Sequence, residues 1–521
     1  MKIALPAALS LTLTTACGGD DGALADGDTA AETGDTSGDG TDGASAPDGT
    51  GEAPASDDGP LDPDGPRLGA SGIALSDVVV NQGVAVTLAQ AETMVPQEAR
   101  ASAVLHGRRT HVRATWTTEP GFAPRPIRAE LHLVHTDGTQ ETLVDVRTLG
   151  ALSGPAHNDF VWDVPAEAIP PGTRWRITLH EDELAPDGLV DPQAPSLPAV
   201  GDSALDDAPG DKHMRLVLVP YRHQRAGCDQ PFPLDVVTVD TFTQAMEMQY
   251  PVQEVDIEVH SEVVYTGPTG DLSEFLFEVT DLRTSEFPDP EVFYFGALWP
   301  CDAPLVGGLG YTPFEPASIA GDTIRASVGA YYESNPERVA STMVHEVGHN
   351  LGRRHASCDN GEDNVDPAYP VAGAAIGSEG WGIHDELFRA PSTHDFMSYC
   401  DPAWVSAYGW GLAVDVLDQL RINVEGAGAP SRDGVGATAL LVRDGAVERA
   451  VPWPGFELGR HDGSATWQRP GAADEAAPWQ VEALGDSGAE LVIVAGALTD
   501  PVPRTLVREG RPPLSLIPTV R

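Results

Sequence analysis

His345-Glu346-Val347-Gly348-His349-Asn350-Leu351-Gly352-Arg353-Arg354-His355 is the stretch on which the reading of this chain turns. It follows Pro336-Glu337-Arg338-Val339-Ala340-Ser341-Thr342-Met343-Val344, a run compatible with a helix, with proline near its start where a missing N–H is tolerated. On such a helix His345 and His349 stand four residues apart and project from one face. Two imidazoles so placed can bind one Zn²⁺ at about 2.0–2.1 Å. Glu346 is rotated by about 100° from His345, so its carboxylate falls beside the metal and suits a general base acting on water. Gly352 can take a positive φ, ending the helix and turning the chain, and His355 then reaches the same ion from outside the helix. Three neutral imidazoles leave a fourth position open, as in catalytic rather than structural zinc sites.

With the glycine and the third histidine also in place, the stretch resembles the zinc-binding signature of the metzincin metallopeptidases. That family is marked further by a tight turn containing Met beneath the zinc. The resemblance implies such a turn at Asp395-Phe396-Met397-Ser398-Tyr399-Cys400, with Met397 as a polarizable apolar floor. It gives Tyr399 a role near zinc or at the tetrahedral oxyanion. It implies that Gly307-Gly308-Leu309-Gly310-Tyr311 resembles the family's edge strand, where Gly308 and Gly310 let an extended substrate approach and pair through its main chain. Pro402-Ala403-Trp404 stands where metzincins wall the pocket that follows the scissile bond, which makes Trp404 a substrate contact. The likeness spans roughly residues 212–425, while its specific motifs occupy only His345 to His355 and the Met turn.

The chain begins with Met1-Lys2 and an apolar stretch to about Leu13, which reads as a secretory signal over residues 1–16. Thr14-Thr15-Ala16-Cys17 resembles the lipobox of bacterial lipoproteins, implying acylation of Cys17 and an anchor in the bacterial membrane, the outer one because Gly18 follows. The other reading is an ordinary signal cleaved near Ala16, releasing a secreted protein. Residues 17–68 are almost wholly Gly, Ala, Asp, Thr, Ser and Pro, with acidic side chains throughout and no Lys or Arg before Arg67. They read as a self-repelling disordered tether.

From 69 to 205 short alternating strands predict a β-sandwich of immunoglobulin-like type, with a hairpin closed at Thr136-Asp137-Gly138-Thr139. The Pro/Asp-rich stretch Pro186 to Asp211 reads as a linker. Strands alternate with helical patterns over 206–426, as around Met214 to Val219, Thr241 to Met248, Val255 to Val259, Phe293 to Ala297 and Ala413 to Leu420. This predicts an α/β catalytic unit with a twisted sheet. Residues 427–521 return to β character, with Trp453, Trp467 and Trp479 filling a small core. The fold class expected is therefore multidomain: an α/β metzincin-like domain flanked by β-sandwich-like domains.

With Cys17 assigned to lipid, Cys228, Cys301, Cys358 and Cys400 form an even set in an exported chain, suggesting two disulfides with three pairings open. Adjacent pairing, Cys228–Cys301 and Cys358–Cys400, is preferred because each bridge then stays within one half of the catalytic region. Asp359-Asn360-Gly361-Glu362-Asp363-Asn364-Val365-Asp366 is rich in oxygen ligands and is a candidate for a structural Ca²⁺, although its spacing is not that of an EF-hand and a solvated turn is the stronger reading. The 521 residues carry a formal charge of -48, which repels phosphate backbones and argues against nucleic acid as a partner. Beyond the first residues no apolar run is long enough to span a bilayer, so a membrane contact is expected only through the lipid. These readings converge on a monomeric zinc endopeptidase that cleaves extracellular proteins or glycoproteins. The alternative is an inactive metzincin-like lipoprotein that binds or adheres at the surface.

Overall fold

The computed structural model describes residues 66–150, 159–184, 194–205, 208, 210–319, 322–426, 436–453, 456, 458, 461–469, 473–484, 489–496 and 505–516. The expected signal, Cys17 and all but the last residues of the expected tether lie outside them. All of the described residues belong to one unit, Pro63–Arg521.

Alternation builds the first part. In Arg125–Val134 the side chains of Ile127, Ala129 and Leu131 are buried, while Arg128 and Glu130 face outward and pair with each other at 2.7 Å. This strand lies between Gln140–Leu149 and Arg174–Leu184, with Arg67–Gly69 beyond, and the turn at 136–139 closes the hairpin as expected. A second antiparallel sheet orders Thr93–Met94, Ala85–Gln90, Ile73–Asn81, Thr110–Thr118 and Phe160–Val164. Val78, Val80, Val112 and Ala114 of this sheet share one core with Ile127, Leu131, Trp175 and Ile177 of the other. The stretch read as a linker contributes more than a tether would. Ser196–Leu197 and Ser203–Ala204 pair with Arg174–Leu184, and Leu197 and Leu205 are buried, so two leucines among prolines hold this segment on the sandwich.

The middle part is a mostly parallel sheet. His213–Arg225 pairs in parallel with Glu254–Val259 and Val263–Tyr265 on one side and with Phe293–Leu298 on the other, followed by Ala326–Ala330. Gly308–Thr312 then joins antiparallel. Phe293–Leu298 and Ala326–Ala330 are buried throughout, as a sheet covered on both faces requires. The covering helices are α1 (Val239–Gln249), α2 (Ser273–Glu286), α3 (Arg338–Asn350) and α4 (Ala407–Gly426). α1, α3 and α4 send Phe242, Met246, Val344, Val347 and Trp410 into the core that also contains the sandwich residues. α2 sends Phe275, Leu276 and Val279 into a second core.

That second core also holds Ala437, Leu441 and Trp453, so the C-terminal strands complete it. The junction is covalently distant but hydrogen-bonded. Glu475–Leu484 pairs with Gly308–Thr312 at Tyr311↔Leu484 and Thr312↔Ala483, making the C-terminal strands continuous with the central sheet. Trp453, Trp467 and Trp479 are all buried.

The sandwich meets the middle part at a second built junction. Gly83 (φ +142°) passes so close to Trp410 that a Cβ would overlap the indole. Arg108, fully enclosed beneath Trp410, donates to the carbonyls of Gln82 (2.9 Å), Val252 (2.6 Å) and Glu247. Burial pulls its guanidinium down to about 9, against the upward pull of Glu247.

Candidate metal centre

α3 buries Val339, Ala340, Met343, Val344 and Val347 toward the sheet, which fixes its rotation. Asn350, fully buried, anchors its end by donating to the carbonyls of Tyr311 (3.0 Å) and Ala326 (3.1 Å). Gly352 has φ +78°, Gly352 N–H donates to His349 O (2.7 Å), and Arg353 N–H donates to Gly348 O (3.0 Å). This pair of bonds is the Schellman arrangement, in which a left-handed residue satisfies the last carbonyls of a helix. A Cβ on Gly352 would lie 2.9 Å from Pro316 Cγ and 3.3 Å from Pro313 O. Gly352→Ala is therefore expected to cost at least about 1–2 kcal/mol, read as a lower urea midpoint at unchanged slope.

The turn delivers His355 beside the helix. The ring centroids of His345 and His349 lie 4.9 Å apart, those of His349 and His355 4.7 Å, and those of His345 and His355 5.3 Å. One ligand atom from each residue falls within 4.8 Å of the others. Each imidazole is oriented from behind by a backbone carbonyl. His345 donates its Nδ1–H to Phe396 O (2.7 Å), His349 to Arg353 O (2.8 Å), and His355 to Asp363 O (2.5 Å). A carbonyl can only accept, so in each ring the proton sits on Nδ1 and the lone pair on Nε2. His349 Nε2 and His355 Nε2 are 3.1 Å apart. Two nitrogens on one tetrahedral zinc at about 2.0–2.1 Å would stand about 3.3 Å apart. The donor set therefore fits a divalent cation such as zinc. His349 and His355 are buried and His345 is half-buried, with its Nε2 enclosed beside them.

Glu346 is 1% exposed. Its carboxylate and carbonyl lie against Gly308 and Gly310. A Cβ on Gly308 would overlap Glu346 Oε1, and one on Gly310 would come within 2.7 Å of Glu346 O. The two glycines thus permit strand and helix to touch at this residue. The strand is less open than an edge strand, because Tyr311 and Thr312 pair with the C-terminal strand Glu475–Leu484 on its far side. Gly308 and Gly310 precede that pairing.

Met397 is buried against α3 at Gly348, where a Cβ would meet its sulfur at 2.5 Å. Its turn is held by Asp395, whose Oδ1 accepts from Met397 N (2.8 Å) and whose carbonyl accepts from Ser398 N (2.9 Å). The Tyr399 ring lies 4.9 Å from His355 and 6.3 Å from His345. Trp404 is elsewhere. It is 3% exposed, its indole N–H donates to Gly83 O (2.7 Å), and Arg389 covers its face at 4.2 Å. The side chain expected to wall a substrate pocket is spent on the sandwich junction, where the Gly83 carbonyl accepts its indole N–H.

Cys228–Cys301 and Cys358–Cys400 are disulfide-bonded, the pairing preferred from the sequence. Such bonds belong to an oxidising compartment. No helix among the described residues is long and apolar enough to cross a membrane. Glu362 accepts from the amides of Cys358 (3.1 Å), Asn360 (3.0 Å) and Tyr399 (3.4 Å), while Asp366 accepts from Ala368 N (2.9 Å) and Tyr408 OH (2.8 Å). Burial raises the Glu362 carboxyl, but these donors prevail and hold it below its ordinary value. Among the described residues the only other close group of possible ligands is Cys358, Glu362 and Cys400, where both sulfurs are already bonded to each other.

Two side chains at the centre were not singled out from the sequence. Arg353 and Asp395 form a buried ion pair (3.0 Å), the first within the histidine-bearing stretch and the second at the head of the Met397 turn. The signal available was their adjacency to Gly352 and to Phe396-Met397.

Fold and site together define a strand-rich chain with a central α/β sheet and a three-histidine group able to hold a metal ion. No protein-family model matches the chain, and no curated protein sequence is significantly similar to it.

Proposed function

We propose that this protein is an exported zinc-dependent endopeptidase of the metzincin type, acting on extracellular proteins or glycoproteins. The observation that carries the reading is the convergence of three imidazoles, each oriented through Nδ1, on one point, with Glu346 following His345 directly on the same helix. His345, His349 and His355 would hold the ion, which supplies Lewis acidity toward a peptide carbonyl and acidifies water. Glu346 takes a proton from the water that attacks the carbonyl carbon. It then gives that proton to the amine nitrogen as the C–N bond breaks, so atoms and charges balance. Low exposure keeps Glu346 from exchanging that proton with bulk solvent. Tyr399, whose ring lies beside that of His355, would donate toward the oxygen of the tetrahedral species. Gly308 and Gly310, buried and paired with Ala326–Ala330, bring the sheet up to the Glu346 carboxylate, and a substrate strand would have to dock beyond them. Export is supported by the two disulfides, and anchoring through Cys17 by the lipobox-like sequence alone.

An inactive surface-binding lipoprotein would have no need of a carboxylate held at this point. The test is incubation of the purified protein with casein and with mucin. Cleavage is expected to stop when a chelator strips the metal and to return on adding one equivalent of Zn²⁺. Cleavage that survives complete metal removal would overturn the proposal.

A further inference from the structure

The imidazoles are aimed by carbonyls, and carbonyls must themselves be aimed. Arg353 O, which receives His349 Nδ1–H, belongs to the residue directly after the left-handed Gly352, where the backbone is least constrained by its own helix. Phe396 O, which receives His345 Nδ1–H, belongs to the residue directly after Asp395. The side chains of these two segments meet. Arg353 Nη2 donates to Asp395 Oδ1 at 3.0 Å, with the two side chains 3% and 0% exposed.

The aspartate of the pair is held further. Asp395 Oδ1 also accepts from Met397 N (2.8 Å), and Asp395 Oδ2 accepts from Ser406 N (3.2 Å) and Ser406 Oγ. Ser406 Oγ in turn caps α4 by accepting from Gly409 N (3.0 Å). The Arg353 guanidinium lies over the Phe396 ring at 5.0 Å and against Gly409, where any Cβ would overlap it. His355 is drawn into the same frame, because Ala356 N–H donates to Met397 O (2.9 Å).

We infer that Arg353 and Asp395 are a positioning pair that fixes the direction of the carbonyls behind His349 and His345, and through them the two ligand lone pairs. The inference rests on the zinc-site reading above but not on peptidase activity. Neither side chain touches the place where a metal or substrate would sit; both act through the backbone that they pin. A bidentate-capable guanidinium suits this task better than an ammonium, because its planar fork fixes orientation as well as charge.

The test measures zinc affinity of the full protein by competition with a chromophoric chelator, together with the visible d–d spectrum after Co²⁺ substitution. The variants are Arg353→Lys, and Arg353→Met combined with Asp395→Leu, which leaves no unpaired buried charge. Thermal melting of each metal-free variant checks its fold. The double variant is expected to bind zinc about 10–100-fold more weakly, with a shifted Co²⁺ spectrum, and Arg353→Lys to recover part of the loss. A merely structural pair would lower the melting temperature and leave both metal readouts alone, and that result would overturn the inference. If the double variant does not fold, Arg353→Lys decides: about tenfold weaker zinc binding supports the pair, and unchanged affinity and spectrum refute it. A parent that binds no zinc defeats the metal-site reading itself. A parent that binds zinc no better than its folded variants defeats only the role given to the pair.

Discussion

Replacing Glu346 by Gln should lower peptide hydrolysis by about 10²–10⁴-fold while one zinc per chain remains bound. The amide matches the carboxylate in shape, so the close contacts with Gly308 and Gly310 survive and α3 keeps its place against the sheet. What disappears is the capacity to take a proton from water and return it to the leaving nitrogen. The three imidazoles are oriented by the carbonyls of Phe396, Arg353 and Asp363, and the substitution leaves all three in place, so metal content is expected to be unchanged. The measurement is paired: turnover of a quenched fluorescent peptide, and metal per chain by elemental analysis. Equal turnover by variant and parent would remove Glu346 from the mechanism. Loss of metal in the variant would instead make the carboxylate a ligand.

The second large effect is expected from Cys358→Ser combined with Cys400→Ser. The bridge closes a loop of 42 residues that begins three residues after His355 and ends three after Met397. Loop-closure entropy alone puts its contribution at about 4 kcal/mol. Within that loop Asp363 supplies the carbonyl for His355, and Glu362 ties Cys358 N to Tyr399 N. Opening the bridge thus frees the support of the third imidazole as well as the chain. Removing Cys228 and Cys301 offers the matched control. Their loop of 73 residues predicts a similar loss of stability, about 4 kcal/mol, but it carries no imidazole of the metal group. Urea midpoints should therefore fall in both double variants and zinc affinity only in the first. Equal zinc affinity in the Cys358/Cys400 variant and its parent would separate the bridge from the site.

The parts of this molecule that could be read from its letters are those in which side-chain type and spacing carry the physics. His345 and His349 at four-residue spacing, Gly352 at the bend and the Asp-Gly turn at 137–138 are of this kind. The supports of the site are not. Phe396, Arg353 and Asp363 act through carbonyls, which every residue possesses, so no letter marks them. α2 was not foreseen for a related reason. Phe275, Leu276, Phe277 and Val279 are buried on several sides, between the central sheet and the C-terminal strands, so the three-to-four residue period of a surface helix is erased. The pairing of Tyr311 and Thr312 with Leu484 and Ala483 is again a main-chain event between segments far apart in sequence. Trp404 illustrates the converse, since its position relative to the Met turn was informative while the direction of its ring depended on Gly83, more than 300 residues away.

The ladder between Thr312 and Ala483 has an evolutionary and practical corollary. A chain shortened to end near residue 426 would lose the partners of Tyr311 and Thr312 and bare the apolar side of α2, leaving a naked strand border that invites self-association. The C-terminal strands are thus no detachable appendage: a cut that separates them from the centre exposes both partners of the ladder.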